Sequence, residues 1–292
     1  MEKISTIVPS YNRAHLLEKT IPTYFQEGVE IEELILVDDC STDNTKEVVK
    51  KLQKRYSKIK YLRLEKNMKQ QAAKNKGIEN LSPDSKFVYF GDDDAILLPN
   101  SLKYLLETLK KYDADLVGAR ALTAKTEKDI LEKEKFLDKY NMISKKIVDF
   151  EKYIFNFENS IKEPVEVLVT HSYFLIKKEA IGTTRFNLKY LGNCYREETD
   201  FILKIRKKGK KIMYDSRAVG INLPRSIATG GAHKKGILGK FKWYYWAIRN
   251  NNLFLDNEYD YLKKNNFVKS SKNLLKLKFI LNRGLKKLKI EI

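Results

Sequence analysis

Three consecutive aspartates, Asp92, Asp93 and Asp94, follow Gly91 at the end of the apolar run Phe87-Val88-Tyr89-Phe90. Carboxylates crowded at a strand end repel one another unless a cation or a fixed donor relieves them. A magnesium or manganese ion would do so, with water and substrate phosphate oxygens filling the rest of its shell. The alternative is an acidic loop that caps a helix starting near Pro99-Asn100. A second polar loop, Asp38-Asp39-Cys40-Ser41-Thr42-Asp43-Asn44-Thr45, follows Leu34-Ile35-Leu36-Val37. Its short side chains suit a nucleobase or ribose, and equally the start of the next helix. A third acidic group, Glu197-Glu198-Thr199-Asp200, opens a helix that runs to Arg206, where carboxylates in the first turn complement the macrodipole. His233, after Gly230-Gly231-Ala232, is either a transition-metal ligand or an ordinary loop histidine. His171 ends an apolar strand and reads as a core or rim residue.

These groups need a scaffold that gathers them. Short apolar runs at 4–8, 34–37, 59–64 and 87–90 alternate with helical periods at 16–25, 45–56 and 70–81. That is the pattern of βαβ units around a mainly parallel sheet, an α/β fold. Right-handed crossovers bring the strand C-termini to one edge, where open α/β sheets bind their ligands. A further strand is expected at 115–120, a charged helical insertion facing the substrate at 125–160, sheet again at 165–176, and a strand at 211–214.

Composition narrows the function classes. The chain has 292 residues, 42% hydrophobic, with only 6 Pro and 13 Gly, so it carries enough apolar material for a large core and too few breakers for disorder. Its 57 basic residues against 38 acidic ones give a net charge of +19, which points to a polyanionic partner: nucleic acid, anionic lipid or a phosphorylated substrate. Cys40 and Cys194 stand far apart, so neither a disulfide framework nor a thiolate zinc site is expected. Without an apolar leader or a run of 18 apolar residues, the expected location is cytoplasmic, with a peripheral membrane position open. From residue 233 onward there are 15 basic residues and 4 acidic ones, so this stretch carries +11 of the +19. As a helix, its last part sets Leu274, Leu277, Leu281, Leu285 and Leu288 on one narrow face, with Lys276, Arg283 and Lys287 roughly opposite. It reads as a helical face packed on the core or as a surface for anionic lipid, with Trp243, Tyr244, Tyr245 and Trp246 suited to an interface.

Five motifs in order then resemble the inverting glycosyltransferases of the GT-A fold, the large family 2 group. They are Thr6 to Arg13 (TIVPSYNR), Ile35 to Thr45 (ILVDDCSTDNT), Ala73-Lys74-Asn75-Lys76-Gly77, Gly91-Asp92-Asp93-Asp94 through Pro99, and Glu197-Glu198-Thr199-Asp200-Phe201. The resemblance covers about residues 3–215 and implies a nucleotide-sugar site. In it, Pro9, Tyr11 and Arg13 frame the nucleotide, Asp39 recognises the base, and Asp92 and Asp94 are the ends of a DxD signature flanking Asp93. Asp94 is then the direct ligand of Mn2+ or Mg2+, joined by Asp92, with His233 closing over the diphosphate or completing the shell. Lys74 stands where the family commonly has arginine, as a phosphate or sugar contact. Glu198 occupies the place of the family's catalytic base, with Glu197 as second candidate because Glu replaces the usual Asp. One base to take the acceptor proton and one Lewis acid for the leaving diphosphate suffice for inversion.

The resemblance implies transfer from a nucleoside diphosphate sugar, a UDP-sugar first, to a hydroxyl of a glycan or lipid-linked acceptor. It divides the chain into a GT-A catalytic domain at 1–231, with a nucleotide-sugar half at 1–120 and an acceptor half at 121–231, and a basic amphipathic helical extension at 232–292. The alternatives are a nucleotidyltransferase, which lacks its glycine-rich triphosphate loop here, and a nucleic-acid-binding protein. No specific nucleic-acid partner is expected, because the positive charge concentrates in the tail while the sheet edge is acidic.

Overall fold

A computed structural model describes residues 2–140, 143, 146–229 and 237–288, excepting the side chains of 237–238 and 284–288. His233 and the expected domain boundary at 231/232 lie outside the described residues. Along the first third of the chain, β1 (Lys3–Ser10), α1 (Ala14–Thr20), β2 (Glu30–Asp38), α2 (Thr45–Arg55), β3 (Ile59–Arg63), α3 (Lys69–Glu79) and β4 (Phe87–Phe90) alternate. Next come β5 (Ala95–Leu97), α4 (Ser101–Lys111) and β6 (Leu116–Thr123), then the insertion with α5 (Glu127–Leu131), α6 (Lys133–Asp138) and the small hairpin of β7 (Val148–Asp149) and β8 (Ile154–Phe155). The chain continues through β9 (Val165–Glu166), β10 (Phe174–Lys177), α7 (Lys178–Ile181), α8 (Glu197–Lys207), β11 (Ile212–Asn222), α9 (Ile237–Lys264) and α10 (Lys272–Leu288).

Among the described residues the main sheet has nine strands in the order β3-β2-β1-β4-β10-β6-β11-β5, with β9 also on β11. The first four are mutually parallel, and β1, β4 and the end of β2 are covered on both faces, which is why β1 and the end of β2 read as nearly continuous apolar runs. Their register puts Ser10 opposite Asp38 and Asp38 opposite Arg63, so β1, β2 and β3 end together. β10 runs antiparallel, with Phe174 at its start opposite Phe90 at the end of β4. The segment entering β10 therefore arrives at the edge where the parallel strands leave. α3 lies close on β1 because Gly77 has no side chain: a Cβ there would come within 2.5 Å of Ile7.

Two details differ from the sequence expectation. Of the 165–176 stretch only β9 and β10 are strands, and β5, three apolar residues behind the acidic triplet, pairs antiparallel with β11. So short a strand has no periodicity to betray it, and its partner lies more than a hundred residues downstream.

The C-terminal helices share one buried cluster with the sheet. Phe254 of α9 stacks on Phe150 at 5.6 Å, Leu275 and Phe279 of α10 are buried, and Tyr153 Oη donates to the Leu275 carbonyl at 2.9 Å. The leucine row at 274, 277 and 281 is the outward face of α10, exposed together with Ile280, Phe241 and Tyr245. Leu285 and Leu288 lie among the side chains that are not described. Of the four aromatics suited to an interface, Trp243 packs toward Tyr195 and Trp246 onto Gly192, while Tyr245 is exposed. Among the described residues no helix is long and apolar enough to cross a membrane.

Candidate active site

The turn after β1 and the loop after β2 are stitched together by short polar side chains. Asn12, at φ 53, accepts from the Thr42 amide at 2.7 Å and donates its own amide to Ser41 Oγ at 2.9 Å. Asn tolerates this left-handed conformation better than most residues. Asp43 accepts from the Ala14 amide and from Thr45 Oγ1, tying the starts of α1 and α2. Asp38 is wholly buried and accepts from Tyr61, Arg63 and the Ser41 amide. Within this loop the capping alternative thus holds for Asp43, Asp38 braces the loop from beneath, and Asp39 turns into a cleft. There it accepts from the amides of Met68 and Lys69 at 2.6 and 2.8 Å, while burial raises its pKa.

That cleft, ≈ 280 Å³, gathers Pro9, Tyr11, Arg13, Asp39, Asp92, Asp93, Asp94 and Glu198 at the sheet edge. The aspartate triplet does not cap a helix, since α4 begins only after β5 and Asn100 precedes it without a side-chain cap. Gly91 lets the strand end close against Tyr24, whose hydroxyl donates to the Asp92 carbonyl at 2.7 Å. Arg13 Nη1 donates to Asp94 at 2.6 Å, Ser10 Oγ to Asp93 at 2.7 Å, and Ser172 Oγ to Asp92 at 3.3 Å. Burial, with the charge of Asp94 added, pushes Asp92 up to about 6 and Asp93 up to about 7. Crowded, buried carboxylates of this kind are hard oxygen donors, and Arg13 is the one cation in ion-pair contact with them among the described residues. Among the described residues no three Asp, Glu, His or Cys side chains form a closed metal cluster, so an ion held here would take substrate or water oxygens for the rest of its shell.

Behind the cleft lies a buried ionic knot. Lys74, with a side chain 1% exposed, donates to Glu197 at 2.8 Å and to Glu198 at 2.7 Å. Gln70 Nε2 adds a donor to Glu197 at 2.6 Å. Lys74 does not line the cleft, so the sequence expectation of a direct phosphate or sugar contact gives way to a contact with the two glutamates. Burial raises the pKa of Glu197, and the neighbouring Glu198 charge raises it further. Burial opposes ionisation of Glu198 too, but the Lys74 charge and the hydrogen bonds from Glu197 and Lys74 outweigh it, and its pKa falls. The directions differ across the pair, up for Glu197 and down for Glu198, so Glu198 is the glutamate that ionises more readily. Burial alone would lower the pKa of Lys74, but the two glutamates raise it and keep it charged.

A second cavity of ≈ 770 Å³ opens beyond Glu198 and shares Gln70, Asn193, Cys194, Glu198 and Asn222 with the first. His171 lines it, with Nδ1 2.9 Å from Ser172 Oγ, and burial lowers its pKa. Gln70, Ser172, Arg196 and Asn222 escape sequence reading because each is a lone polar residue outside a motif. Only the strand directions bring them to this edge.

The family model described as glycosyl transferase family 2 matches residues 5–183. A Campylobacter jejuni protein, GalNAc(5)-diNAcBac-PP-undecaprenol beta-1,3-glucosyltransferase, is 32% identical over 232 residues, which is 75% of this chain and 68% of the relative. The putative teichuronic acid biosynthesis glycosyltransferase TuaG of Bacillus subtilis is 33% identical over 104 residues, 36% of this chain and 40% of the relative. Among solved structures, Staphylococcus aureus TarS 1–349 in complex with UDP-GlcNAc superposes with a TM-score of 0.58 at 17% identity, covering 91% of this chain and 75% of the other. The Pyrobaculum calidifontis mannosyltransferase PcManGT, in complex with GDP-Man and Mn2+, gives 0.58 at 16% identity over 88% and 64%. At such identities the two structures speak for the fold alone, and the fold they share with this chain is GT-A.

Proposed function

The chain belongs to glycosyl transferase family 2, and from that premise we propose that it inverts the anomeric centre while moving a sugar from a nucleoside diphosphate, first a UDP-sugar, to a hydroxyl of a glycan or lipid-linked acceptor. The observation that carries this reading is the position of Glu198, whose carboxylate belongs to the walls of both the acidic cleft and the second cavity. A base there meets a donor on one side and an acceptor on the other. The carboxylate takes the proton of the acceptor hydroxyl as that oxygen bonds to the anomeric carbon. The bond from that carbon to the diphosphate oxygen breaks on the opposite face, and the electron pair leaves with the diphosphate, so the configuration inverts. Lys74 supports the role by holding Glu198 ionised and in place, while Glu197 stays behind it, out of reach of solvent.

Pro9, Tyr11 and Asp39 would frame the nucleotide, and Arg13 aligns the aspartates through Asp94. Asp92 and Asp94 would hold a divalent ion, Mn2+ or Mg2+, and the crowding of carboxylates on the cleft wall, with burial holding back the ionisation of Asp92, supports that assignment. When bound, such an ion offsets the charge that gathers on a leaving diphosphate. The Mn2+ in complex with the Pyrobaculum mannosyltransferase and the UDP-GlcNAc in complex with TarS agree with this reading, and the name of the Campylobacter relative agrees with a lipid-linked acceptor. The outward apolar face of α10, on a stretch with a balance of +11, supports a peripheral seat on an anionic membrane surface where such an acceptor would reside.

Calorimetry with UDP, GDP, dTDP and CDP, each with Mn2+ and with EDTA, tests the donor side. Metal-dependent binding of one nucleotide is expected. A folded protein that binds none of them overturns the reading.

A further inference from the structure

The second cavity contains an unbalanced pair of arginines. Arg196 is buried, and its guanidinium lies 4.3 Å from the Phe155 ring centroid, 5.0 Å from Tyr195, 5.5 Å from Phe254 and 5.6 Å from Phe150. Its Nε donates to Asn251 at 3.3 Å, but its Nη2 has no hydrogen-bond partner among the described residues. Arg283 of α10 reaches the same ring, with its guanidinium 5.0 Å from the Tyr195 centroid and Nη2 donating to Tyr195 Oη at 2.8 Å. Both arginines line the cavity, and among the described residues neither makes an ion pair with a carboxylate. Two carboxylates share the wall: Glu198, already held by Lys74, and Glu158, which pairs with neither arginine among the described residues.

Aromatic faces attract a guanidinium, but they do not satisfy its N–H donors, and buried cations are normally paired. Burial lowers the pKa of Arg196, and the charge of Arg283 lowers it further. Two neighbouring cations without a paired carboxylate among the described residues, on the wall of a cavity that also includes Glu198, are the complement of a dianion. A planar fork of donors suits a phosphoryl group better than a single ammonium would.

We propose that the cavity beyond Glu198 is built for an acceptor carrying a phosphoryl group, bound between Arg196 and Arg283. This rests on the reading that Glu198 faces the acceptor, and it makes α10 part of the substrate site. The basic C-terminal stretch then contributes specificity as well as location.

The test is calorimetry in EDTA, where the donor cleft is without metal, with N-acetylglucosamine 1-phosphate, its neutral methyl glycoside and farnesyl diphosphate as probes. The phosphorylated sugar is expected to bind at least about tenfold more tightly than the neutral one, as charge-assisted pairing with arginine implies. Arg283→Gln, at the less buried of the two arginines, should lose most of that preference, and Arg196→Lys should weaken it while melting normally. Asp94→Asn, in the other cleft, should leave it unchanged. Tighter binding of farnesyl diphosphate than of the phosphorylated sugar would identify a lipid-linked diphosphate as the source of the group; comparable binding of the two would mean that the phosphoryl group itself is recognised. Equal affinity for charged and neutral sugars, or a preference untouched by both arginine variants, overturns the proposal. So does a preference abolished by Asp94→Asn. Nucleotide binding with Mn2+ is read separately, so a failure here leaves the donor-side reading standing.

Discussion

Lys74 Nζ stands 2.7 Å from Glu198 Oε1, with the lysine enclosed and the carboxylate on the wall of the cleft. A cation placed under a general base lowers the base's pKa and fixes its rotamer at the same time. Removing it is expected to move the acid limb of kcat/KM to higher pH, because Glu198 would then hold its proton further up the scale. Lys74→Met should also destabilise the fold by about 3–5 kcal/mol, the usual penalty for stripping one partner from a buried ion pair. Lys74→Arg should recover most of both losses. A pH profile of Lys74→Met superimposable on wild type would remove the electrostatic role.

The two glutamates should respond differently to the same isosteric change. Glu198→Gln is expected to lose about a hundredfold to ten-thousandfold in turnover, the worth of a general base, with nucleotide affinity intact. Glu197 lies behind it, outside both cavity walls and with its pKa raised by burial, so Glu197→Gln should keep most activity. Steady-state kinetics on both variants decide between them, and the reverse ranking would exchange their roles.

Asp94→Asn should weaken Mn2+-dependent nucleotide binding by about tenfold or more, and EDTA should do the same to wild type. Calorimetry with and without metal makes the comparison. Equal binding by wild type in EDTA and in Mn2+ would remove the metal from the donor site.

Glu151 joins the insertion to the C-terminal helices: it accepts from Lys278 Nζ, Ser270 Oγ and the amides of Lys269 and Ser270. Slight burial opposes ionisation, but the hydrogen bonds from Lys278 and Ser270 bring its pKa down to about 2. A carboxyl lowered by folding adds stability above its ordinary pKa, and that stability disappears as pH falls through the lowered value. The contribution should therefore be complete above the usual glutamate range and vanish near pH 2. Acid unfolding followed by circular dichroism should show Glu151→Gln less stable than wild type at pH 6, with the difference closing toward pH 2. A constant difference across that window would refute the linkage.

Leu277→Glu with Leu281→Glu, on the outward face of α10, should abolish co-flotation with anionic vesicles and leave nucleotide binding unchanged. Wild type should float with vesicles containing phosphatidylglycerol and lose that association as salt rises. Wild type that stays with the soluble fraction at physiological salt would rule out the membrane seat.

The parallel half of the sheet was legible because each βαβ unit is local: an apolar run, a polar turn and a helix of suitable length lie within about thirty residues. The capping and binding roles of the 38–45 loop were not separable in the sequence, since Asp38 and Asp39 differ only in which side of β2 they leave from. Lys74 resembled a ligand contact because a motif records position and residue type, not the direction in which a helix presents its side chain. That direction follows from α3 pressing on β1 at Gly77 and from α8 arriving alongside.

By itself the sequence determined the α/β class, the family and the acidic groups at the strand ends, all properties that depend on neighbours along the chain. The tertiary structure alone decided which of two adjacent glutamates meets the cleft, that β10 runs antiparallel and carries His171 and Ser172 to the same edge, and that α10 brings Arg283 to Arg196. Each of these turns on contacts between residues tens to hundreds of positions apart. Burial and Coulomb energies at such contacts depend on distance in space, which no local pattern of residue types encodes.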